Sequence, residues 1–402
     1  MVKYNALTKM ATIALVLIVV LSVVTGVYVY NLTTSQGMKE KIVIGLSLPI
    51  NHLVGIHVKN AVEMALEEIN SAGGISINGS SYQLTYVVED TNELDPMIPV
   101  DHGVTAFKRI TEIHKAHAVI GGFRTEVTVA QTQLLSQYKV VFLDIFSNTR
   151  ILEDRVIEDY ENYKYYFHVF AGGRNSSVGP YLVSFLTALK NTAAGSPNYP
   201  DTTKISLLAE NAIWTVALAG RPAGNSSFFQ ILKRQGLELV YADLYPLGQS
   251  DFSSYLARVR SSGAGLIIFL FSGPPGVAFI KQWDAFSWEP GKKPIVFGVS
   301  MLGGISWFWK QTDGSADTTV WWPATVKVPV SPKTVQFIEK FVQKYGETPA
   351  TAALNAYDAV YILKDALEKA GTWKVDRLVA ALEQTDYEGV IGRIQYSKQQ
   401  HG

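Results

Sequence analysis

Cysteine is missing from this chain altogether. That excludes a disulfide framework and a thiolate metal site, and it excludes a lipid anchor, whose attachment chemistry needs a cysteine. An excess of charge of either sign is also missing: Lys+Arg and Asp+Glu each number 35 in 402 residues, for a formal net charge of zero. Nothing therefore points to nucleic acid or to recruitment by anionic lipid. The familiar catalytic signatures are absent too. There is no Walker A loop, no Gly-x-Gly-x-x-Gly after a strand, no His-Glu-x-x-His and no Gly-x-Ser-x-Gly elbow. The seven histidines are scattered (His52, His57, His102, His114, His117, His168, His401). Even the i, i+3 pair His114 and His117 reads as solvated or core side chains rather than zinc ligands. The chain is thus expected to be no enzyme and to hold no metal and no cofactor.

What is present begins with a long apolar run, Met10 to Tyr30, behind Lys3 and Lys9 and ahead of a polar linker, Asn31 to Glu40. About 20 such residues suffice to cross a hydrocarbon core. A cleaved secretory signal fits the flanks. An uncleaved anchor fits better, because the run is long for a signal core and Thr25–Tyr30 offers no clean small-x-small site. Tyr28 and Tyr30 would also suit an interfacial aromatic belt. The basic residues orient the start to the cytoplasm, so either reading exports everything from residue 41 onward. Asn-x-Ser/Thr sequons at Asn31, Asn78, Asn175 and Asn225 agree with export, but the pattern is short.

From residue 41, short β-branched runs alternate with amphipathic helical stretches. Strand 41–48 leads to a helix carrying Val58, Val62, Ala65, Leu66 and Ile69, which stops at Gly73-Gly74. Strands are predicted at 83–89, 118–122, 139–144, 204–209, 237–241, 265–271, 294–298 and 392–397. Runs this continuously apolar read as parallel strands covered by helices on both faces. The length exceeds one ordinary core. The expectation is an α/β chain of two doubly wound Rossmann-like lobes, joined by a hinge and preceded by one N-terminal membrane helix. Residues 1–40 form the anchor or signal plus linker, 41–168 and 325–386 the first lobe, and 169–324 and 387–402 the second.

Several segments together resemble the extracytoplasmic solute-binding proteins of ABC importers, in the branched-chain amino-acid-binding group with the type I periplasmic binding fold. Asn60–Ile75 is similar to that family's first helix and its Gly-Gly-Ile ending, and Glu89-Asp90 to an acidic pair often found after its second strand. Val119-Ile-Gly-Gly-Phe-Arg-Thr125 resembles its ligand loop. Asp251–Val259 and Ala356–Tyr361 match two later motifs. The likeness spans about residues 41–396, and it rests on the order and spacing of motifs that are individually weak. It implies a ligand cleft beyond the carboxyl ends of the strands, closed by hinge motion.

Carried over residue by residue, the resemblance puts Asn51 and His52 in the first cleft loop, where an ordinary turn is the plainer reading. It gives Thr125 the hydroxyl that receives a ligand carboxylate, with a helix N-terminus behind it. Arg124 either pairs with that carboxylate or covers Glu126 at the surface. Ser147 and Asn148 belong to a second ligand turn. Trp214 supplies an aromatic lid or is a core tryptophan. Ser272 and Ser300 close the opposite wall. Two features depart from the family. Ser300 stands where amino-acid binders often carry an acid for the ammonium, which leaves an amino acid, a carboxylate, an amide or an aromatic solute open, with Glu126 or Glu210 as substitute partners. The chain also stops soon after strand 392–397, which leaves the expected second lobe short at its edge. The implied function is capture of a small polar solute for the permease subunits of an ABC importer. The rival is a membrane-tethered sensor of the same fold, and no signalling domain precedes Lys3 to favour it.

Overall fold

The apolar runs become two separate parallel sheets. The computed structural model describes residues 41–402 except 96, 171–177, 195–199 and 400. The expected membrane segment at 10–30 lies outside the described residues, and among these no helix is long and apolar enough to cross a membrane.

The first sheet contains β1 (Lys41–Leu48), β2 (Ile75–Ile77), β3 (Ser80–Asp90), β4 (Ala118–Gly121), β5 (Val141–Asp144) and β6 (Tyr166–His168), in the order β2-β3-β1-β4-β5-β6. Only β2 runs antiparallel, as the first arm of a hairpin with β3. The second sheet contains β7 (Lys204–Glu210), β8 (Glu238–Tyr245), β9 (Leu266–Leu270), β10 (Ile295–Val299) and β11 (Val320–Trp322), in the order β11-β10-β9-β7-β8 and parallel throughout. Parallel pairing requires crossover helices, which cover both faces. That is why β9 and β10 are wholly apolar and buried along their length. In each sheet the strand order reverses beside the first strand, between β1 and β4 and between β7 and β9. A crevice for ligand opens at such a switch point.

Helix Leu53–Ser71 packs against helix Thr351–Ala370, which brings the late return of the chain onto the first sheet's side. Glu68 on the former accepts hydrogen bonds from the hydroxyls of Tyr357 and Tyr361 on the latter. One expectation about domains does not hold. Residues 387–402, assigned from sequence to the second lobe, bond to the first. The hairpin of β12 (Asp386–Gly389) and β13 (Gly392–Gln395) is held by Asp358, which accepts the N–H groups of Val390 at 2.8 Å and Ile391 at 3.0 Å. The tail then runs along β6. His401 accepts the N–H of His168 on its carbonyl at 2.6 Å, its Nδ1 lies 2.7 Å from the Tyr166 carbonyl, and its ring stacks on Phe167. The physical reason is that the edge of β6 and the buried Asp358 carboxyl on helix Thr351–Ala370 offer hydrogen-bonding groups next to where the chain already lies. Strands β2, β6 and β11, too short for a clear apolar run, are additions that the periodicity did not reveal.

Candidate functional site

The carboxyl ends of the two sheets face one cleft. Its lining on the first lobe comes from Glu93 and Leu94 after β3, Phe123, Arg124 and Thr125 after β4, Phe146 and Asn148 after β5, and Phe170 after β6. The second lobe contributes Trp214 after β7, Phe271 to Gly273 after β9, Val299 to Leu302 around the end of β10, and Trp322 and Pro323 after β11. The space between them, mouth included, is about 730 Å³, in the range of small-ligand sites.

Local rules place these groups. The chain leaves β4 through Gly122, whose φ of +92° favours glycine. A Cβ there would strike the Asp144 carboxylate, so the glycine lets β4 and β5 end side by side. Thr125 opens helix Thr125–Thr132, whose first N–H groups have no carbonyl of their own helix to bind. Thr125 is buried, and its Oγ1 accepts the N–H of Asn148 at 3.2 Å, which joins the turns after β4 and β5. Arg124 donates its backbone N–H to Glu93 Oε2 at 2.9 Å. Its guanidinium donates to the Ile98 carbonyl at 3.1 Å and lies 3.6 Å from Glu126.

On the facing wall Glu210 is buried and held by neutral donors: the Ser272 N–H at 3.0 Å, the Ser272 hydroxyl and the Trp214 indole N–H at 3.2 Å. Burial pushes its carboxyl above the ordinary range, with Glu126 adding to the effect. Ser300 donates its N–H to the Trp322 carbonyl at 2.9 Å and accepts the Leu302 N–H on its hydroxyl. Contacts among the described residues also cross between the lobes. Glu126 accepts the N–H of Ile213 at 2.7 Å, and the rings of His52 and Trp307 meet edge-on at 5.2 Å.

Of the residues singled out from sequence, the fold brings Arg124, Thr125, Asn148, Trp214, Ser272 and Ser300 to the cleft wall. It turns three aside. Ser147 is fully buried behind the wall, with its N–H and hydroxyl both given to Asp144. Asn51 donates to Asn92. His52 caps helix Leu53–Ser71 by accepting the Val54 N–H at 3.3 Å, and it reaches only the cleft mouth, against Trp307. Glu126, weighed as an ammonium partner, is engaged by Ile213 instead. Sequence reasoning missed Glu93 and the ring set Phe123, Phe146, Phe170 and Trp322. The rings of Phe146 and Phe170 stack at 4.8 Å. The available signal was position: each lies within a few residues of the end of a parallel strand. Among the described residues no group of three or more His, Asp or Glu side chains is arranged to hold a metal ion.

Two doubly wound lobes with facing carboxyl ends and a ligand-sized cleft are the architecture of a binding protein. The chain belongs to the periplasmic binding protein family, whose family model matches residues 46–402. It is similar to Leu/Ile/Val-binding protein homolog 7 of Brucella abortus, with 22% identity over 344 residues that cover 84% of this chain and 78% of that protein. Among solved structures, a leucine-binding protein of Thermotoga maritima matches with a TM-score of 0.68 at 18% identity, covering 90% of this chain and 92% of that one. The branched-chain amino acid transporter substrate-binding protein of Streptococcus pneumoniae, solved in complex with isoleucine, matches at 0.64 and 18% identity, covering 90% and 93%. A solute-binding protein of R. palustris, solved in complex with benzoate, matches at 0.65 and 14% identity, covering 90% and 91%.

Proposed function

We propose that this chain captures a small solute with an apolar body outside the cytoplasm and delivers it to the permease subunits of an ABC importer, without catalysis. The apolar run at 10–30 is the proposed means of export and tethering. The observation that carries the reading is the composition of the cleft. Polar groups of the first lobe lie at Glu93, Arg124, Thr125 and Asn148 beside a helix N-terminus, Ser272 and Ser300 add hydroxyls from the second, and the rest of the wall is largely aromatic or aliphatic. Such a wall suits a carboxylate at the polar end, supported by helix N–H groups, and an apolar remainder against the rings. The relatives solved with isoleucine and with benzoate carry ligands of that description.

Thermal unfolding of the purified chain against amino acids, short-chain amides and aromatic acids tests this. A ligand at about 100 times its Kd stabilises by roughly 2.7 kcal/mol, which raises Tm by about 3–4 °C for a chain of this size. Replacing both Thr125→Ala and Trp214→Ala should abolish the shift. A wild-type chain that responds to no small solute would sink the reading.

A further inference from the structure

Solute capture leaves the four Asn-x-Ser/Thr sequons without a use. Asn31 and Asn175 lie outside the described residues, which leaves Asn78-Gly-Ser80 and Asn225-Ser-Ser227. Both asparagines are exposed, but they are held differently. Asn78 and Gly79 form the two-residue turn of the β2–β3 hairpin, with φ of +49° and +81°. The Asn78 amide donates to the Gly371 carbonyl at 2.7 Å, which ties the hairpin to the end of helix Thr351–Ala370. Asn225 sits in the loop between helices Ile213–Ala219 and Ser227–Arg234. That loop is closed without its side chain. The Gly224 N–H goes to the Ala219 carbonyl at 2.7 Å, the Asn225 N–H to the Pro222 carbonyl at 3.0 Å, and the Ser226 hydroxyl to the Leu218 carbonyl at 2.6 Å. Among the described residues neither the Asn225 side-chain amide nor the exposed Ser227 hydroxyl has a hydrogen-bonding partner.

We propose that Asn225 carries an N-linked glycan, added outside the cytoplasm by a transferase whose donor is a glycan linked through phosphate to a polyprenyl lipid. This rests on the export reading above. In the step, Nδ2 of Asn225 forms a bond to the anomeric carbon of the first sugar. The bond from that carbon to the phosphate oxygen breaks, the lipid phosphate leaves with the electron pair, and the amide gives up one proton to a base of the transferase. The acceptor must present its amide together with the hydroxyl two residues on. The loop at 225–227 presents both without losing a bond. On the folded chain the same reaction at Asn78 costs the bond to Gly371 and the hairpin turn, so Asn78 stays bare. The position also suits a glycan. Asn225 is no part of the cleft lining. A Cβ on the neighbouring Gly224 would lie 2.5 Å from the Leu239 side chain and 3.3 Å from that of Ala242, so the loop rests on β8. That strand ends the second sheet, and it is half-buried from Leu239 to Leu244. An open edge of this kind invites pairing with another chain unless something covers it. A glycan at Asn225 stands beside that edge without entering the cleft.

Mass spectrometry of tryptic peptides from the full chain, purified from the cells that make it, tests the assignment. Peptide 205–233 holds Asn225 as its only sequon, because trypsin does not cut before Pro222, and peptide 60–108 holds Asn78. The expected result is a glycan mass on 205–233 in most molecules and none on 60–108. In the same cells Asn225→Gln and Ser227→Ala should each remove that mass, whereas Ser227→Thr should keep it, a pattern that an adventitious adduct would not follow. Asn78→Gln should leave it unchanged. The wild-type measurement stands even where a variant fails to fold. A bare peptide 205–233 in chain recovered from outside the cytoplasm overturns the proposal and leaves export intact. So does a glycan that survives Ser227→Ala, or one found on 60–108. Chain recovered from the cytoplasm alone overturns the export reading and the glycan together.

Discussion

Asp144 shows how a single side chain can build a binding loop without touching the ligand space. Its carboxylate collects the N–H groups of Phe146 at 3.1 Å and Ser147 at 2.9 Å, the Ser147 hydroxyl and the Tyr166 hydroxyl at 2.8 Å. Burial raises its pKa, while the His168 charge and the Ser147 donors work against that shift. His168 in turn is buried 2.6 Å from Glu153, and despite burial the Asp144 and Glu153 carboxyls hold its pKa above the ordinary value. Ser147→Ala should therefore lower unfolding stability by about 1 kcal/mol yet change ligand affinity less than threefold. Asn148→Ala, on the wall itself, should weaken binding by more than that. Denaturant titration and ligand titration of the two variants separate these effects. The sequence made residues 146–149 legible as a turn at the cleft. It could not show which of Ser147 and Asn148 faces the cleft, because a strand-terminal aspartate claims the hydroxyl three residues on, and that competition depends on how β5 ends. Glu93 was hidden for a similar reason: an acid in a Pro-flanked loop looks solvated until the turn after β4 packs on it and the Arg124 N–H binds its carboxyl.

At the scale of elements, the long parallel strands and their helices were readable because each buries a continuous apolar run. The short pieces were not. Strand β6 has three residues, and its place at the sheet edge depends on partners far away in sequence, β5 and the tail at His401. The β12–β13 hairpin likewise takes its position from groups on other elements, the buried Asp358 carboxyl and the Thr334 hydroxyl, which donates to the Val390 carbonyl at 2.6 Å. Burial pushes Asp358 up to about 7, against the lowering effect of the Val390 and Ile391 N–H groups. An unfolded aspartate titrates near 3.9. Between these values the folded chain holds a proton that the unfolded chain has released, so this group makes stability fall as pH rises from about 4 to about 7, with little further change above. The span is on the order of 4 kcal/mol at most. Unfolding followed from pH 5 to pH 8 should lose less stability in Asp358→Asn than in the wild type. A parallel loss in both would show that the hairpin acid does not carry a displaced proton.

For the whole molecule, the bond from Ile213 N–H to Glu126 and the contact of His52 with Trp307 tie one lobe to the other without using the ligand space. A charge-assisted hydrogen bond contributes roughly 1.5–3 kcal/mol. Glu126→Ala should therefore shift the chain toward an open form, with a larger radius of gyration by small-angle scattering. It should also weaken solute binding by about tenfold or more, mostly through faster dissociation. An unchanged radius and dissociation rate would show that the bond has no part in closure. A different consequence follows from the pairing of helix Leu53–Ser71 with helix Thr351–Ala370 and from the seal of β6 by residue 401. During synthesis, the lobe that emerges first waits for its last helices and its edge until the ribosome has passed nearly 300 further residues, whereas the sheet of the second lobe is assembled from residues 204–322 alone. Contacts so distant in sequence form slowly. The contacts that complete the leading lobe therefore become available only when nearly the whole chain has been made.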